Sequence, residues 1–416
     1  MKHNSYVYPI SDPSWIEKLC RWADHHFDFF AYTNGNNHQY PEGPFATHFY
    51  AGKSQLSKKE IWNEPSSFKK VGIIGYDYKN QLENLNSENP AFFDLPEVCF
   101  FAPSFSLKFL GEKVISDVEL NEEFWQEIEQ ITLPERPFTN CSVQPQITPE
   151  NYSDTVKAIQ RHIVEGNTYE SNFCQAYTGT FENWDPISAY FNLNKLSPMP
   201  FSALFKAKSQ WLISASPERF LKKTGSKLIA QPIKGTIKRG VSKAEDLQNK
   251  ETLGNSEKEQ AENLMITDLM RNDLSKVSKT GSVKVTELFG IYPFPKVFQM
   301  ISTIVSELKE DTTFAEIIQA SFPMGSMTGA PKIRTMEIVE ELESFKRGWF
   351  SGTFGVIEEN GDFDFSVVIR SIIADLAVKK LYFGVGSAIT FDANAEQEYD
   401  ECSLKAKAIL EVLSGK

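Results

Sequence analysis

The chain has 416 residues, 41% of them hydrophobic and 24% charged, and its formal net charge at pH 7 is −12. This length predicts a substantial core and two or more domains. The negative charge argues against nucleic acid or an anionic membrane as the main partner, because both are bound by basic surfaces. No segment approaches the roughly 20 apolar residues of a membrane span, and no apolar run follows the N-terminus, so we expect neither a membrane span nor a signal peptide.

The cysteines and histidines restrict which kinds of metal site and catalytic group the chain could contain. The five cysteines are scattered and lack CxxC spacing, which favours a reducing, cytoplasmic setting and argues against a structural zinc site. All six histidines lie within the first 162 residues. Chemistry further along the chain must therefore use Lys, Arg, Asp, Glu or a metal.

The N-terminal third is predicted to be mostly β-structure. Val71–Tyr76 and Val98–Phe101 are short strand-like runs between turn-rich segments. Residues 132–147 contain several prolines and predict a linker or crossover between an N-terminal region, 1–140, and a second domain, 147–416. Strands and helices mix without a regular βαβ alternation, which predicts an α+β fold.

Helices are clearest in the second domain. One is predicted to begin after the N-cap Thr148, with Pro149 as its first residue, and to end at Gly166. Apolar residues at helical spacing predict two more, over 257–274 and 396–413.

A predicted hairpin over 219–229 precedes the most informative residue, Lys234. Lys234 lies between Pro232 and Gly235, so we expect it just past a strand end, on a short rigid turn. A solvated surface charge is the alternative. Glu218, on the other side of the hairpin, could face the lysine across a cleft, or the two could form an ordinary ion pair.

Three acids on predicted helices could bind a metal. Glu398 and Glu401 are three residues apart, so their carboxylates share a helix face, and oxygen ligands without nearby His or Cys suit Mg²⁺. Favourable acids at a helix N-terminus are the alternative. Glu262 shares a helical stripe with apolar residues, so it needs either a metal or a buried salt bridge.

The glycine-bearing segment 321–332 leads into a predicted helix over 332–342. Free backbone N–H groups there favour a carboxylate over a nucleotide phosphate, because Pro331 removes a donor; plain helix entry is the alternative. Arg370 follows a predicted strand, and Lys405 lies one turn beyond Glu401. Either could bind a carboxylate or pair with a neighbouring acid.

Together these segments resemble the chorismate-utilising enzymes, a family of anthranilate, aminodeoxychorismate, isochorismate and salicylate synthases. The matching segments are, in chain order, Ser216–Phe220, Gln231–Thr236, Ala261–Asp273, Phe322–Lys332, Arg347–Gly355, Ile369–Arg370, Gly386–Glu401 and Lys405. The resemblance implies a chorismate-binding, aminodeoxychorismate synthase-like fold, with a large mixed β-sandwich core flanked by helices. Residues 1–140 would form its N-terminal mostly-β region and residues 147–416 its chorismate-binding catalytic domain.

Within this family, Pro-Ile-Lys-Gly-Thr resembles component I of the aminodeoxychorismate synthases, which serve 4-aminobenzoate and folate biosynthesis. These enzymes replace the C4 hydroxyl of chorismate with an amino group. The resemblance implies that Lys234 adds to ring carbon C2, that Glu218 protonates the departing hydroxyl, and that ammonia then attacks C4. It also implies an Mg²⁺ cofactor held by Glu262, Glu398 and Glu401.

The resemblance further implies a set of substrate-binding residues, namely Glu170, Thr236, Ser326, Thr328, Arg370, Gly386 and Lys405. Glu170 departs from the subgroup, which usually has Gln there. Gln299, Phe350 and Ala388 depart from a usual His, Tyr and Gly.

The source of ammonia is expected to lie outside this chain. The sequence has no Cys-containing nucleophile elbow with a downstream His, so we expect a separate glutamine amidotransferase subunit as partner. Two alternatives stay open, namely component I of an anthranilate synthase and a non-catalytic chorismate-binding subunit.

Overall fold

The computed structural model describes residues 5–62, 66–135 and 141–415. The strands are β1 (Tyr6–Pro9), β2 (Phe29–Asn34), β3 (His48–Gly52), β4 (Lys70–Ile74), β5 (Val98–Phe101), β6 (Phe105–Leu110), β7 (Lys113–Ser116), β8 (Ser142–Pro145), β9 (Glu170–Thr180), β10 (Phe201–Ala207), β11 (Gln210–Ser216), β12 (Arg219–Thr224), β13 (Lys227–Ala230), β14 (Ile233–Lys238), β15 (Lys284–Pro293), β16 (Val297–Glu307), β17 (Gly329–Ala330), β18 (Thr353–Ile357), β19 (Phe363–Val367), β20 (Ser371–Asp375) and β21 (Lys380–Ile389). The helices are α1 (Trp15–His26), α2 (Lys58–Trp62), α3 (Lys79–Leu82), α4 (Glu122–Gln130), α5 (Pro149–Val164), α6 (Pro186–Leu196), α7 (Lys243–Gly254), α8 (Glu257–Val277), α9 (Phe314–Ser321), α10 (Lys332–Leu342) and α11 (Ala395–Leu413).

The strands form two antiparallel sheets. The larger sheet has the order β1-β7-β6-β3-β2-β10-β11-β20-β21-β9-β17, with β8 also paired to β9. The smaller sheet has the order β14-β16-β13-β12-β19-β18-β4-β5, with β15 also paired to β16. The chain passes from the larger sheet to the smaller one between β11 and β12, which is where Glu218 lies.

Aromatic side chains pack the two sheets face to face. The ring centroids of Phe205 in β10 and Phe354 in β18 are 5.5 Å apart, and those of Phe29 in β2 and Phe101 in β5 are 5.8 Å apart. Rings at such separations bury large apolar areas and hold the sheets together. The predicted α+β class, with a sandwich core flanked by helices, is confirmed.

Both predicted regions build this core. β2 pairs with β10 in the larger sheet, and β4 pairs with β18 in the smaller one. Helices α1 and α4 accompany the strands of the N-terminal region. Residues 136–140 of the predicted linker lie outside the described residues, whereas 142–145 form β8 against β9. Part of the expected linker is therefore a strand, because its backbone groups pair along the edge of β9.

The predicted helices are confirmed with small shifts at their ends. The Thr148 side chain accepts a hydrogen bond from the backbone N–H of Asn151 at the start of α5, and Gly166 follows the helix with a φ of 77°. Helix α8 runs beyond 274 to Val277, whose buried side chain continues the core-facing side. Helix α10 has the predicted bounds, and α11 begins one residue early, at Ala395.

The hairpin of β12 and β13 is confirmed, but the position expected for Lys234 is wrong. Lys234 lies inside β14 rather than past a strand end. The pairing of β14 with β16 shifts between Ile233 and Thr236, and Gly235 has a φ of 93°. This irregular pairing accommodates both Pro232 and Gly235, which in a regular ladder would end the strand.

The expectation that the glycine-bearing turn leads directly into a helix is wrong. Gly325–Met327 form one 3-10 turn, and the short strand β17 then pairs with β9 before α10 begins at Lys332. The ammonium group of Lys332 lies 2.5 Å from a carboxylate oxygen of the buried Asp273.

Within the three described ranges, no helix is both long and apolar enough to cross a membrane.

Candidate active site

Lys234 and Glu170 form a buried ion pair. The Nζ atom of Lys234 lies 3.0 Å from Oε1 of Glu170, and the two side chains are 12% and 1% exposed. Burial alone would lower the pKa of Lys234, but the negative charges of Glu170, Glu262 and Glu218 together raise it above its ordinary value. The lysine is therefore an ammonium in this structure at neutral pH.

Glu218 is a buried acid suited to proton donation. Its Oε1 atom accepts a hydrogen bond of 2.7 Å from the hydroxyl of Ser326. Burial raises the pKa of Glu218 from 4.5 to about 7, against the opposing effects of that hydrogen bond and of the charge on Lys234. A carboxyl group with such a pKa is partly protonated at neutral pH, as a general acid requires.

Helix α8 fixes the backbone that carries Lys234. The side-chain amide of Asn263 donates hydrogen bonds to the carbonyl oxygens of Lys234 and Met300, at 3.4 and 3.3 Å. A Cβ atom on Gly235 would lie 3.0 Å from a carboxylate oxygen of Glu259. Glycine therefore lets the strand approach the helix closely while adopting a positive φ.

A second glycine fixes Glu170 at the start of β9. Gly329 pairs with Ser171, and a Cβ atom at 329 would lie 2.1 Å from the carbonyl oxygen of Glu170. The backbone N–H of Asn172 donates to the carbonyl of Thr328 at 2.8 Å. The turn that carries Ser326 is thus joined to the strand that carries Glu170.

A buried arginine strengthens this junction. The guanidinium of Arg347 donates to the carbonyl oxygens of Met327 and Asn172, at 2.7 and 3.0 Å, and to the carboxylate of Glu343. The ring of Tyr76 covers it at 4.4 Å. Because the charge is both paired and fully hydrogen-bonded, Arg347 can serve as a rigid link inside the core.

The predicted metal ligands pair with two lysines instead of forming a tight cluster. Lys258 places its ammonium 3.8 Å from Glu262 and 3.4 Å from Glu398. Glu398 also accepts a hydrogen bond from the hydroxyl of Ser387. Glu401 lies 2.6 Å from the ammonium of Lys405.

The chemistry of this donor set fits Mg²⁺. Carboxylate oxygens are the ligands that a hard cation prefers. Burial, together with the nearby acids Glu170 and Glu259, raises the pKa of Glu262 to about 7 against the opposing charges of Lys234 and Lys258, so this carboxyl group has less positive charge nearby than its burial requires. In the described part of the chain, however, no three His, Cys, Asp or Glu side chains converge closely enough to hold a metal. The fit therefore rests on chemistry and not on a preformed cage.

Two of the predicted substrate-binding residues are cations of contrasting surroundings. Lys405 donates to the carbonyl oxygen of Gly386 at 2.8 Å, in addition to its pair with Glu401. Arg370, half-buried between β19 and β20 with a φ of 50°, has no carboxylate within salt-bridge distance among residues 5–62, 66–135 and 141–415. Burial lowers the pKa of Arg370. A half-buried cation without an acid partner is suited to bind an anion.

The remaining predicted substrate-binding residues are Thr236, Thr328 and Gly386, and each has a different environment. The Thr328 hydroxyl donates to carbonyl oxygens of its own turn, at 3.3 Å from Met324 and from Gly325. Thr236 is exposed on β14, opposite Gln299. Gly386 lies inside β21, where a Cβ atom would be 2.7 Å from the sulfur of Cys174. Gly386 is connected to the charged side chains of the site, because its carbonyl oxygen accepts a hydrogen bond from Lys405.

Sequence reasoning missed two features of the site. It did not pair Lys234 with Glu170, because residues 64 positions apart carry no local signal of contact. It also overlooked Lys258, although the spacing of four residues from Glu262 on one helix is a recognisable ion-pair signal. The structure shows Glu170, and not Glu218, in direct contact with the lysine.

Comparison with known proteins identifies the family of this chain. The sequence pattern of the family described as chorismate binding enzyme matches residues 18–411. The chain is 35% identical to aminodeoxychorismate synthase component 1 from Escherichia coli, over 82% of this chain and 76% of that protein. It is 31% identical to anthranilate synthase component 1 from Saccharolobus solfataricus, over 85% and 83% of the two chains.

A solved structure shows the same fold. The menaquinone-specific isochorismate synthase from Escherichia coli superposes with a TM-score of 0.78 at 15% identity, covering 99% of this chain and 94% of that one. At this identity the likeness concerns the fold alone, and the family assignment rests on the sequence matches. On those matches, the chain belongs to the family of chorismate-binding enzymes.

Proposed function

We propose that this chain is component I of an aminodeoxychorismate synthase, which converts chorismate and ammonia into 4-amino-4-deoxychorismate. The observation that carries the proposal is a buried lysine, Lys234, in the same site as a buried acid, Glu218, whose pKa is about 7. A nucleophile and a general acid on one substrate are what replacement of a hydroxyl group requires. The relatives named aminodeoxychorismate synthase component 1 support the same reaction.

The residues divide the reaction into two displacements. The lone pair of the Lys234 amine forms a bond to C2, the ring double bond moves, and the C4 hydroxyl leaves as water with the proton of Glu218. Ammonia then bonds to C4, the double bond returns, and the C2–Nζ bond breaks. A proton from the new C4 ammonium restores Glu218, so the net change is ammonia in and water out.

Cations and oriented donors would hold the dianionic substrate. Arg370 and Lys405 would pair with its carboxylates. The hydroxyl of Ser326 donates a hydrogen bond to the carboxyl group of Glu218 and would hold it in one orientation. The acids Glu262, Glu398 and Glu401 would bind Mg²⁺, which would supply positive charge to the ring carboxylate. Burial of Glu218 and Lys234 excludes water from the reacting groups.

Ammonia would come from a separate glutamine amidotransferase subunit in the cytoplasm. The relatives are named as component 1 of their synthase, which supports a partner component. We expect the purified chain to use ammonium salts far better than glutamine. Equal use of glutamine by the chain alone would contradict the partner.

Product identity tests the proposal against its alternatives. The chain is incubated with chorismate, Mg²⁺ and ammonium, and the products are identified by mass and absorbance. We expect aminodeoxychorismate. Direct release of fluorescent anthranilate with pyruvate would instead identify an anthranilate synthase, which the 31% identity to such an enzyme makes the second candidate. Chorismate binding without turnover at any ammonium concentration would indicate a non-catalytic subunit.

A further inference from the structure

We propose that Glu170 is the proton acceptor that converts Lys234 from an ammonium into the free amine, and that it returns the proton when the lysine is released. The inference rests on the proposed function, because only a nucleophilic lysine must lose its proton. It assigns a chemical role to a carboxylate at a position where a carboxamide could only hold the lysine by a hydrogen bond.

The geometry of the pair permits direct proton transfer. Oε1 of Glu170 accepts a hydrogen bond from Nζ of Lys234 at 3.0 Å. The other carboxylate oxygen, Oε2, is buried and has no hydrogen-bond partner among the described residues. Since Glu170 is only 1% exposed, water does not compete for it. The carboxylate is thus held against the ammonium, with its second oxygen uncommitted.

The surrounding charges explain why the lysine needs such an acceptor. The groups that interact with Lys234 besides Glu170 are Glu259 and Glu262 of α8, Glu218 after β11 and Glu401 of α11, with Lys258 and Lys405 as the cations beyond them. Burial lowers the pKa of Lys234, but Glu170, which contacts the lysine directly, is the largest of the charges that raise it above its ordinary value. Free amine is therefore scarce at neutral pH unless a base in contact removes the proton.

The proton balance closes over one cycle. An N–H bond of Lys234 breaks and an O–H bond of Glu170 forms, which turns a charged pair into a neutral pair in a site from which water is excluded. Low polarity lowers the free-energy cost of this transfer, because a neutral pair loses less solvation than a charged one. The freed lone pair attacks C2, and when the C2–Nζ bond later breaks, the departing amine recovers its proton from Glu170.

The decisive measurement is the rate at which chorismate forms a covalent adduct on Lys234 without ammonia, followed by mass spectrometry from pH 5 to 8. Proton transfer inside the pair needs no hydroxide, so the parent rate should be flat below about pH 7 and fall above it as Glu218 ionises. In Glu170→Gln the proton must leave to solvent. Its adduct rate at pH 6 should fall by roughly 10²-fold, and below pH 7 it should rise about tenfold per pH unit.

Two further variants separate proton transfer from mere packing. Glu170→Asp keeps a carboxylate and should keep the flat profile even if its rate is lower. Glu307→Gln removes a carboxylate from an exposed lysine pair on β16 and should match the parent. A flat profile in Glu170→Gln, or the same rising profile in Glu170→Asp, would overturn the assignment.

Failure of the proposed function has a different signature. A parent that produces no aminodeoxychorismate from chorismate and ammonium refutes that function, and with it the role of Glu170. A parent that aminates chorismate, and whose Glu170→Gln variant forms adduct with the parent's pH profile, refutes only the role of Glu170.

Discussion

The two ends of the candidate site hold their charges differently. At the reacting end, formed by Lys234, Glu170 and Glu218, the charged groups are almost fully buried and their partners are fixed. At the acidic end, formed by Glu262, Glu398 and Glu401, the neutralising lysines are more exposed, since the side chains of Lys258 and Lys405 are 50% and 34% exposed. Buried pairs are costly to break, whereas a lysine at the surface can leave its partner for little free energy.

This difference matches what the proposed function requires of each end. Under that proposal, the reacting end keeps a nucleophile and an acid at fixed positions through a multi-step reaction. The acidic end would accept an ion and a substrate from solvent, and would therefore have to exchange partners. Four substitutions test the contrast, taken here from the largest expected effect to the smallest.

Lys234→Ala should abolish amination, with a loss of at least about 10³-fold, because it removes the nucleophile. It also leaves Glu170 buried without a cation, so the free energy of unfolding should fall by roughly 3 kcal/mol. Both effects are measurable by product assay and by urea unfolding. In the double variant Lys234→Ala with Glu170→Gln, the free energy of unfolding should recover but the activity should not. Retained turnover in either variant would contradict the role proposed for Lys234.

Glu218→Gln should reduce turnover by about 10²- to 10⁴-fold and yet stabilise the fold at high pH. The pKa of Glu218 is raised from 4.5 to about 7, so the folded state loses stability as pH rises through that window. A neutral amide removes this loss, which amounts to roughly 3 kcal/mol at pH 8 and to almost nothing at pH 4. Denaturant unfolding at both pH values checks it, and equal effects at the two values would contradict the buried-acid assignment.

Lys258→Gln should tighten Mg²⁺ binding about fivefold, because an exposed ion pair that competes with the metal is worth up to about 1 kcal/mol. Calorimetry with Mg²⁺ alone, without substrate, provides the measurement. Lys276→Gln on the same helix, which removes one of the two lysine partners of Asp273, is the matched control and should leave the affinity unchanged. Weaker Mg²⁺ binding in Lys258→Gln would show that the lysine supports the acidic end instead of competing there.

Lys227→Gln should change the least. Its pair with Glu42 joins β13 to an N-terminal loop at a surface where both side chains are more than a third exposed. We expect a change of less than about 0.5 kcal/mol in the free energy of unfolding and no change in product formation. A larger destabilisation would mean that exposed pairs in this protein are stronger than the comparison assumes.

Local signals in the sequence predicted the elements of the fold well. Thr148 and Pro149 mark the start of α5 because a cap and a fixed φ act within one turn. The hairpin between Glu218 and Lys234 likewise depends on a short turn around Gly225. Elements such as these need only neighbouring residues to specify them.

Partners across the sheets could not be predicted in the same way. The contact between Lys234 and Glu170 arises because the turn at 325–327 and β17 bring β9 to the site, and no periodic pattern encodes that approach. The irregular β14 was predicted as a turn because Pro232 and Gly235 usually end strands, and only the pairing with β16 overrides them. The roles assigned to the site residues by resemblance stay predictions.

Arg347 has a consequence for any attempt to redesign this enzyme. One guanidinium bonds both to the turn that carries Ser326, the partner of Glu218, and to the strand that carries Glu170. Glu218, the proposed proton donor, and Glu170, the partner of Lys234, are therefore both positioned through Arg347. A substitution that moves one of these two acids should also move the other. Variants selected for an altered pH dependence should therefore carry substitutions in pairs, one in the turn at 325–327 and one in β9.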